Sequence, residues 1–452
     1  MKVTVIGAGL AGTEAAYYLA ENGIKVLLIE QKGKKRSPAH SINGYAELVC
    51  SNSLKAIRED SAGGLLKKEM RAFGSVCMQA ADSCRVPAGG ALAVNRSLFS
   101  LYITEKIKRH PNIEIVQAEQ KQIPEEGYVI VATGPLTEGE LADDIKKHCG
   151  EYLSFYDAAA PIVTFESIDM NSAFLASRYN DEDGDYINCP MNKEEYEAFH
   201  QELIHAESAP LNEFDHRPNV YEGCMPVEIM GKRGMDTLRF GPLKPVGLRD
   251  PKTGHRPWAV VQLRKENSEG TLYNLVGFQT NLRWPEQKRV FSLIPALKNA
   301  EYIRYGVMHR NTFINSPKLL NADYSLRSND KIFFAGQITG VEGYMESASS
   351  GIMAAVNVLR KLKGEPSLIL PKTTMLGALA AYISDETVTN FQPMGANFGI
   401  LEAIEPHIRD KKQRNMQYAQ RSERVLRSEV GLGSEQLPAP VGPGLSKEEG
   451  RS

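Results

Sequence analysis

The chain has 452 residues, 42% of them apolar and 24% charged, with a formal net charge of -2. That length accommodates two or three domains. The balance is ordinary for a globular protein and lacks the global basic field that advertises nucleic acid, although local patches can still carry RNA. No apolar run approaches the roughly 18 residues of a membrane span. The six cysteines include no C-x-x-C pair, which argues against a zinc ribbon or a thioredoxin-type site. No metal site is expected, and the thiols are expected to be reduced, in the cytoplasm.

The elements follow in chain order. Val3 to Ile6 predict a buried parallel strand, not the leader that an apolar start can suggest. Gly7, Ala8, Gly9, Leu10, Ala11 and Gly12 spell G-x-G-x-x-G, and Thr13 to Asn22 predict a helix that Gly23 stops. Lys25 to Ile29 predict a second strand ending in Glu30, placed to hydrogen-bond a ribose hydroxyl. In this β-α-β context the glycines let backbone and pyrophosphate meet at a helix N-terminus. Next comes AELVCSNSL, 46–54, where Cys50 sits at an expected helix start whose dipole would favour thiolate. The run YVIVATGP, 128–135, reads as a strand ending at Thr133 and Gly134. KIFFAGQITGVEGYMESASSG, 331–351, reads as a strand, a glycine-rich loop with Gly336, Gln337 and Gly340, and a helix start near Glu346. These three segments in order point to FAD, because such a returning strand and helix commonly closes the flavin site in two-dinucleotide-type flavoproteins; no second G-x-G-x-x-G exists to hold a nicotinamide dinucleotide permanently. NAD(P)H would visit transiently.

The fold class expected is α/β: a discontinuous Rossmann-like FAD-binding domain of the two-dinucleotide type, with an inserted α+β domain. Residues 1–156 form its first part, 157–327 the insertion, and 328–430 the return and C-terminal helices. Residues 431–452, rich in Gly and Pro, are expected to be a disordered tail. Within the insertion, WAVVQL and LYNLVGF predict strands and KEEYEAFHQELIHAE a helix. Residues 368–384 and 402–429 predict further helix, the latter basic. Two basic runs, KGKKR at 32–36 and the stretch 409–427, are the candidate RNA contacts.

AELVCSNSL, GLLKKEMR, VPAGGALAVNR, ATGPLT, FYDAAAPIV, YINCPM, EGCMPVEIM, FGPLKPVGL, RYGVMHRNTFINSP, GQITGVEGYMESA and FQPMGANFG run through the chain in this order. Together they resemble the folate- and FAD-dependent tRNA (uracil-5-)-methyltransferase family, over residues 1–424. The glucose-inhibited division protein A family shares the FAD half and carries an extra C-terminal helical domain. The resemblance implies methylation of the T-loop uridine of tRNA. 5,10-Methylenetetrahydrofolate would be the carbon donor, reduced FAD the carrier and reductant, and NAD(P)H the source of electrons. The same chemistry on ribosomal RNA, or a thiol-flavin NAD(P)H oxidoreductase without RNA, are the alternatives. The partner expected is the tRNA T-arm, with neither a membrane nor an obligatory protein partner.

Uracil C5 is a poor nucleophile. A thiolate added at C6 turns C5 into an enolate carbon, and a base must then remove the C5 proton. The resemblance assigns Cys224, in YEGCMPVEIM, as nucleophile and Cys50 as base or guard. Cys77, Cys84, Cys149 and Cys189 are read as packing residues. Trp284, His309 and Arg310 are candidate folate or RNA contacts. Glu342 and Glu346 are candidates for the flavin or pterin. Asn281 departs from the histidine that many family members carry. Gly395 replaces a common asparagine.

Overall fold

The computed structural model describes residues 2–37, 39–150, 153–158, 160–178, 184–209, 225–267, 269–388, 391–406 and 408–431, with backbone alone at 153–158, 309–310 and 430. Cys224 and all but the first residue of the expected tail lie outside the described residues.

The first body is built on a six-stranded sheet in the order Ser325–Leu326, Asn329–Phe334, Tyr128–Val131, Lys2–Ile6, Lys25–Glu30, Ile113–Gln117. Five of these strands are parallel, and the first is antiparallel to its neighbour. Val3, Val5, Val129, Ile130, Val131, Phe333 and Phe334 are wholly buried, as expected of parallel strands covered on both faces. The helices Leu10–Glu21 and Tyr344–Leu362 pack closely together. Gly351 permits this: a Cβ there would collide with the backbone of Ala11.

The inserted body carries a six-stranded antiparallel sheet: Phe174–Ala176, Tyr186–Met191, Ala259–Lys265, Leu272–Leu275, Ile162–Thr164, Tyr302–Arg304. It has its own core, in which Ile187, Phe199, Val261, Phe278 and Phe291 are buried together. The helix Lys193–His205 packs on it and starts with a capping box. Asn192 accepts from the Glu195 N–H at 2.8 Å, and Glu195 accepts from the Asn192 N–H at 2.8 Å. The chain enters and leaves this body through a two-stranded antiparallel ribbon, Leu153–Ala158 against Met308–Phe313. Phe313, Ile314, Leu320, Tyr324 and Leu326 belong again to the first core.

Three local expectations change. No helix starts at Cys50; the residues after it form the strand Ser53–Ala56. The last helix is Lys411–Val430, not 402–429. Pro406 cannot donate into a helical ladder, and the cap falls at Asp410, which accepts from the Gln413 N–H at 2.7 Å. Within 368–384 only Met375–Ser384 is helical, capped by Thr374. Buried Glu69 ties these C-terminal helices to the helix Ala62–Ala72. It accepts from the Met375 and Leu376 N–H groups at 2.8 Å each and from the Ser422 hydroxyl at 2.5 Å. Burial pushes its carboxyl up to about 7. Among the described residues, no helix is long and apolar enough to cross a membrane.

Candidate active site

A cavity of about 580 Å³ lies between the sheet's glycine turn and the start of the helix Tyr344–Leu362, a volume suited to a cofactor. Gly7, Gly9, Leu10, Ala11, Glu30, Thr133, Gly134, Gly336, Gln337 and Glu346 all line it. At Gly7, φ is +99°, and a Cβ there would stand 2.6 Å from the Ala132 oxygen. At Gly12, a Cβ would collide with the Gly7 oxygen, so Gly12 shapes the turn from behind. Ala8 is likewise not in the lining; its N–H donates to Glu30 at 2.6 Å. The other Glu30 oxygen accepts from the Lys32 N–H at 2.7 Å. Gly340 is displaced from the cavity too, against the Phe391 ring. The turn's bare backbone, the helix start behind it and the buried carboxylate of Glu30 fit the pyrophosphate and ribose of a dinucleotide. The residues present therefore fit FAD.

At the other end, Cys50 lines the same cavity, together with Ser51, Lys55, Gln279, Asn311, Glu342 and Tyr344. Glu342 accepts from the Gln337 amide at 2.8 Å. Burial pushes the Glu346 carboxyl up, but the Lys55 ammonium at 2.7 Å and the Ala396 N–H at 2.9 Å outweigh it and hold the group below its ordinary range. Gly395 lies beside this pair; a Cβ there would stand 3.3 Å from the Lys55 ammonium and 2.9 Å from the Glu342 backbone carbonyl oxygen.

The Cys50 loop is braced by the inserted body. Buried Asn52 donates to the carbonyls of Lys265 at 2.8 Å and Val94 at 3.1 Å, and accepts from Arg264 Nε at 2.9 Å. Arg264 also donates to the Ser51 hydroxyl at 2.8 Å. Arg96 donates to the carbonyls of Leu48 and Val49 at 3.0 Å each and pairs with buried Glu266. Sequence reasoning missed Tyr344, Arg264, Arg96, Asn52 and Lys55. Of these, Tyr344, Asn52 and Arg96 stood in segments already singled out, while Arg264 and Lys55 did not.

The remaining thiols behave as packing residues. Cys77, Cys149 and Cys189 are buried, and burial raises all three, Cys149 to about 12. Trp284 is not in the cavity lining; 58% exposed, it stacks on Tyr305 at 5.5 Å, which stacks on Tyr302 at 5.1 Å. Asn281 is buried in the inserted body, donating to the Ala209 carbonyl at 3.0 Å. His309 and Arg310 stand on the ribbon, in register with Asp157 and Tyr156; their side chains lie outside the described residues.

The basic runs are partly consumed. Lys32 pairs with Glu47 at 3.1 Å, and Lys35 with Glu119 at 2.9 Å. Arg421 turns in to the Ala403 carbonyl at 3.0 Å, and Arg427 pairs with Glu423 at 2.7 Å. Arg409, Lys411, Lys412 and Arg424 remain exposed.

Residues 2–366 match the family described as Glucose inhibited division protein A. The chain is 60% identical over 429 residues to "Methylenetetrahydrofolate--tRNA-(uracil-5-)-methyltransferase TrmFO" of Acetivibrio thermocellus, covering 95% of this chain and 98% of that relative. It is 57% identical to the protein of the same name from Natranaerobius thermophilus, covering 94% and 98%. Among solved structures it is similar to Aquifex aeolicus GidA, with a TM-score of 0.69 at 17% identity, over 96% of this chain and 74% of that one; this likeness bears on the fold alone. The chain belongs to the glucose inhibited division protein A family and, within it, to the methylenetetrahydrofolate–tRNA-(uracil-5-)-methyltransferases.

Proposed function

We propose that the chain methylates C5 of the T-loop uridine of tRNA in the cytoplasm, with 5,10-methylenetetrahydrofolate as carbon donor. The observation that carries this reading is that Cys50 opens into the same cavity as the dinucleotide turn. The near full-length relatives of that name support it. Gly7, Gly9 and Gly336 would hold the FAD backbone and Glu30 its ribose, with Glu346 and Gln337 at the thiol end. Bound there, FAD supplies a carrier for the one-carbon unit and reducing electrons drawn from NAD(P)H.

The chain's own groups do the rest. One thiolate, assigned to Cys224, adds to uracil C6 and pushes electrons to C5, which attacks the one-carbon electrophile. The other thiolate, Cys50, takes the C5 proton; the one-carbon unit, freed from its carrier and reduced to methyl by the electrons that bound FAD would supply, stays on C5, and loss of the Cys224 thiolate from C6 restores the ring. Removing water and aligning C5 over the electrophile requires the uridine to leave its stack. Arg409, Lys411, Lys412 and Arg424 are placed to contact RNA phosphates, which position without reading sequence. Trp284, His309 and Arg310 are assigned to folate or RNA.

Incubation with methylenetetrahydrofolate, NADPH and unmodified tRNA, followed by nucleoside mass spectrometry, tests the proposal. 5-Methyluridine in tRNA is expected, and its loss in Cys224→Ala and Cys50→Ala. Methylation of a ribosomal RNA fragment alone would change the substrate. NADPH consumption without any methyl would overturn the reading.

A further inference from the structure

The residue beneath Cys50 has no assigned part in this chemistry. Tyr344 is the first residue of the helix Tyr344–Leu362. It follows Gly343, whose φ of +122° turns the chain so that the helix start faces the Cys50 loop. Although 294 residues separate them, the phenol oxygen meets three groups of that loop at once. It stands 2.6 Å from the Cys50 nitrogen, 3.2 Å from the Ser51 nitrogen and 2.9 Å from Cys50 Sγ.

The proton count at this oxygen is constrained. A phenol has two acceptor sites and one proton. The Cys50 and Ser51 N–H groups can only donate, so they occupy the acceptor sites. The single phenolic proton is left for the sulfur. Burial, and then the charge of Cys50, hold the Tyr344 phenol well above its ordinary range, so it keeps that proton at neutral pH. A hydrogen bond given to sulfur favours the thiolate over the thiol.

The charged surroundings reinforce this. Arg304, from the strand Tyr302–Arg304, lies within electrostatic range of both Cys50 and Tyr344, and Arg96, from the helix Arg96–Arg109, within range of Tyr344. Glu266, just past the strand Ala259–Lys265, opposes them but is paired with Arg96. Lys55 and Glu346, further along the loop and the helix, are paired with one another. The helix start expected at Cys50 is therefore replaced by a helix start that faces it.

We propose that Tyr344 is the positioning residue of Cys50: its hydroxyl fixes the sulfur toward the cavity and holds it as thiolate. This rests on the reading of Cys50 as a chemical thiol, and its test does not depend on methylation. The flavin-bound, fully reduced protein is treated with iodoacetamide from about pH 5 to about pH 10, a range spanning the free-thiol value of ~8.5. Labelling of Cys50 is followed by peptide mass spectrometry. In Tyr344→Phe the labelling midpoint should rise by roughly one to two pH units, the size of a lost charge-assisted bond. Labelling at neutral pH should then fall about tenfold or more. Incorporation of 3-fluorotyrosine at position 344 makes the phenol a stronger donor and should lower the midpoint. It keeps the test open if the phenylalanine variant loses flavin. Equal midpoints in the unmodified protein and in the variants that retain flavin would overturn the assignment. If the midpoint moves while Cys50→Ala still methylates RNA at full rate, the assignment of Tyr344 stands and the role given to Cys50 falls. An immobile midpoint with an inactive Cys50→Ala gives the reverse.

Discussion

At the nucleotide end of the cavity the wall is backbone. Gly7, Gly9 and Gly336 bring main chain to the lining, and the main constraint is that nothing project there. At the thiol end the wall is side chain on side chain: Asn52, Arg264, Arg96 and Glu266 link the Cys50 loop to the inserted sheet. The first wall tolerates no added atom; the second tolerates no lost hydrogen bond. One kind of wall binds, and the other holds a reactive group in place, so they should fail differently.

The largest effect is expected at the bare wall. Gly12→Val drives a side chain into the Gly7 carbonyl. The purified protein should be colourless, with flavin absorbance at background. A yellow variant would mean that the turn is not what holds the cofactor.

Next comes the braced wall. Asn52→Ala removes three hydrogen bonds and leaves the buried Arg264 guanidinium with one fewer partner. Chemical denaturation should show a loss of about 2–4 kcal/mol. Methylation should fall at least tenfold, beyond any loss of flavin. Flavin loss matching the activity loss would erase the distinction between the two walls.

A third prediction concerns pH and lies behind both walls, at Glu69. Its carboxyl sits near 7 in the folded protein against an ordinary value of 4.5. The folded state therefore keeps a proton that the unfolded chain releases. The resulting stability is complete below about pH 4.5 and is lost as pH rises through about 7, by roughly 3 kcal/mol. Glu69→Gln should flatten that slope in thermal melts; an unchanged slope would mean that Glu69 is ionised throughout.

The smallest effect is expected at Trp284, which touches neither wall. Trp284→Ala should lower stability by about 1 kcal/mol through the lost ring stack, leaving flavin content unchanged. If the exposed ring receives a pterin, the KM for methylenetetrahydrofolate should rise roughly two- to tenfold. An unchanged KM would withdraw Trp284 from the substrate contacts.

The same contrast explains what the sequence discloses. A bare wall is written locally, because glycine at fixed spacing between a strand and a helix is the direct trace of a close backbone approach. The turn at 7–12, Glu30 and the segment 331–351 were legible for that reason. The braced wall joins Asn52 to Arg264, 212 positions away, and Cys50 to Tyr344, 294 positions away. No local pattern marks such pairs. The helix expected at Cys50 shows the same limit. A small polar run after a thiol reads as a cap, but Ser53 pairs with Ala93 in a strand. The helix expected from 402 overlooked Pro406, a signal that was present.

The insertion also imposes an order of assembly. The strand Tyr128–Val131 takes its outer parallel neighbour from Asn329–Phe334. Asn329 follows Val131 by 198 positions, and at ordinary synthesis rates that interval lasts roughly 10–40 s. The inserted sheet is contiguous, from Ile162 to Arg304, and has its own core. On the ribosome the guest can be complete while its host still exposes an unpaired strand edge, so this host edge is where a chaperone would be needed.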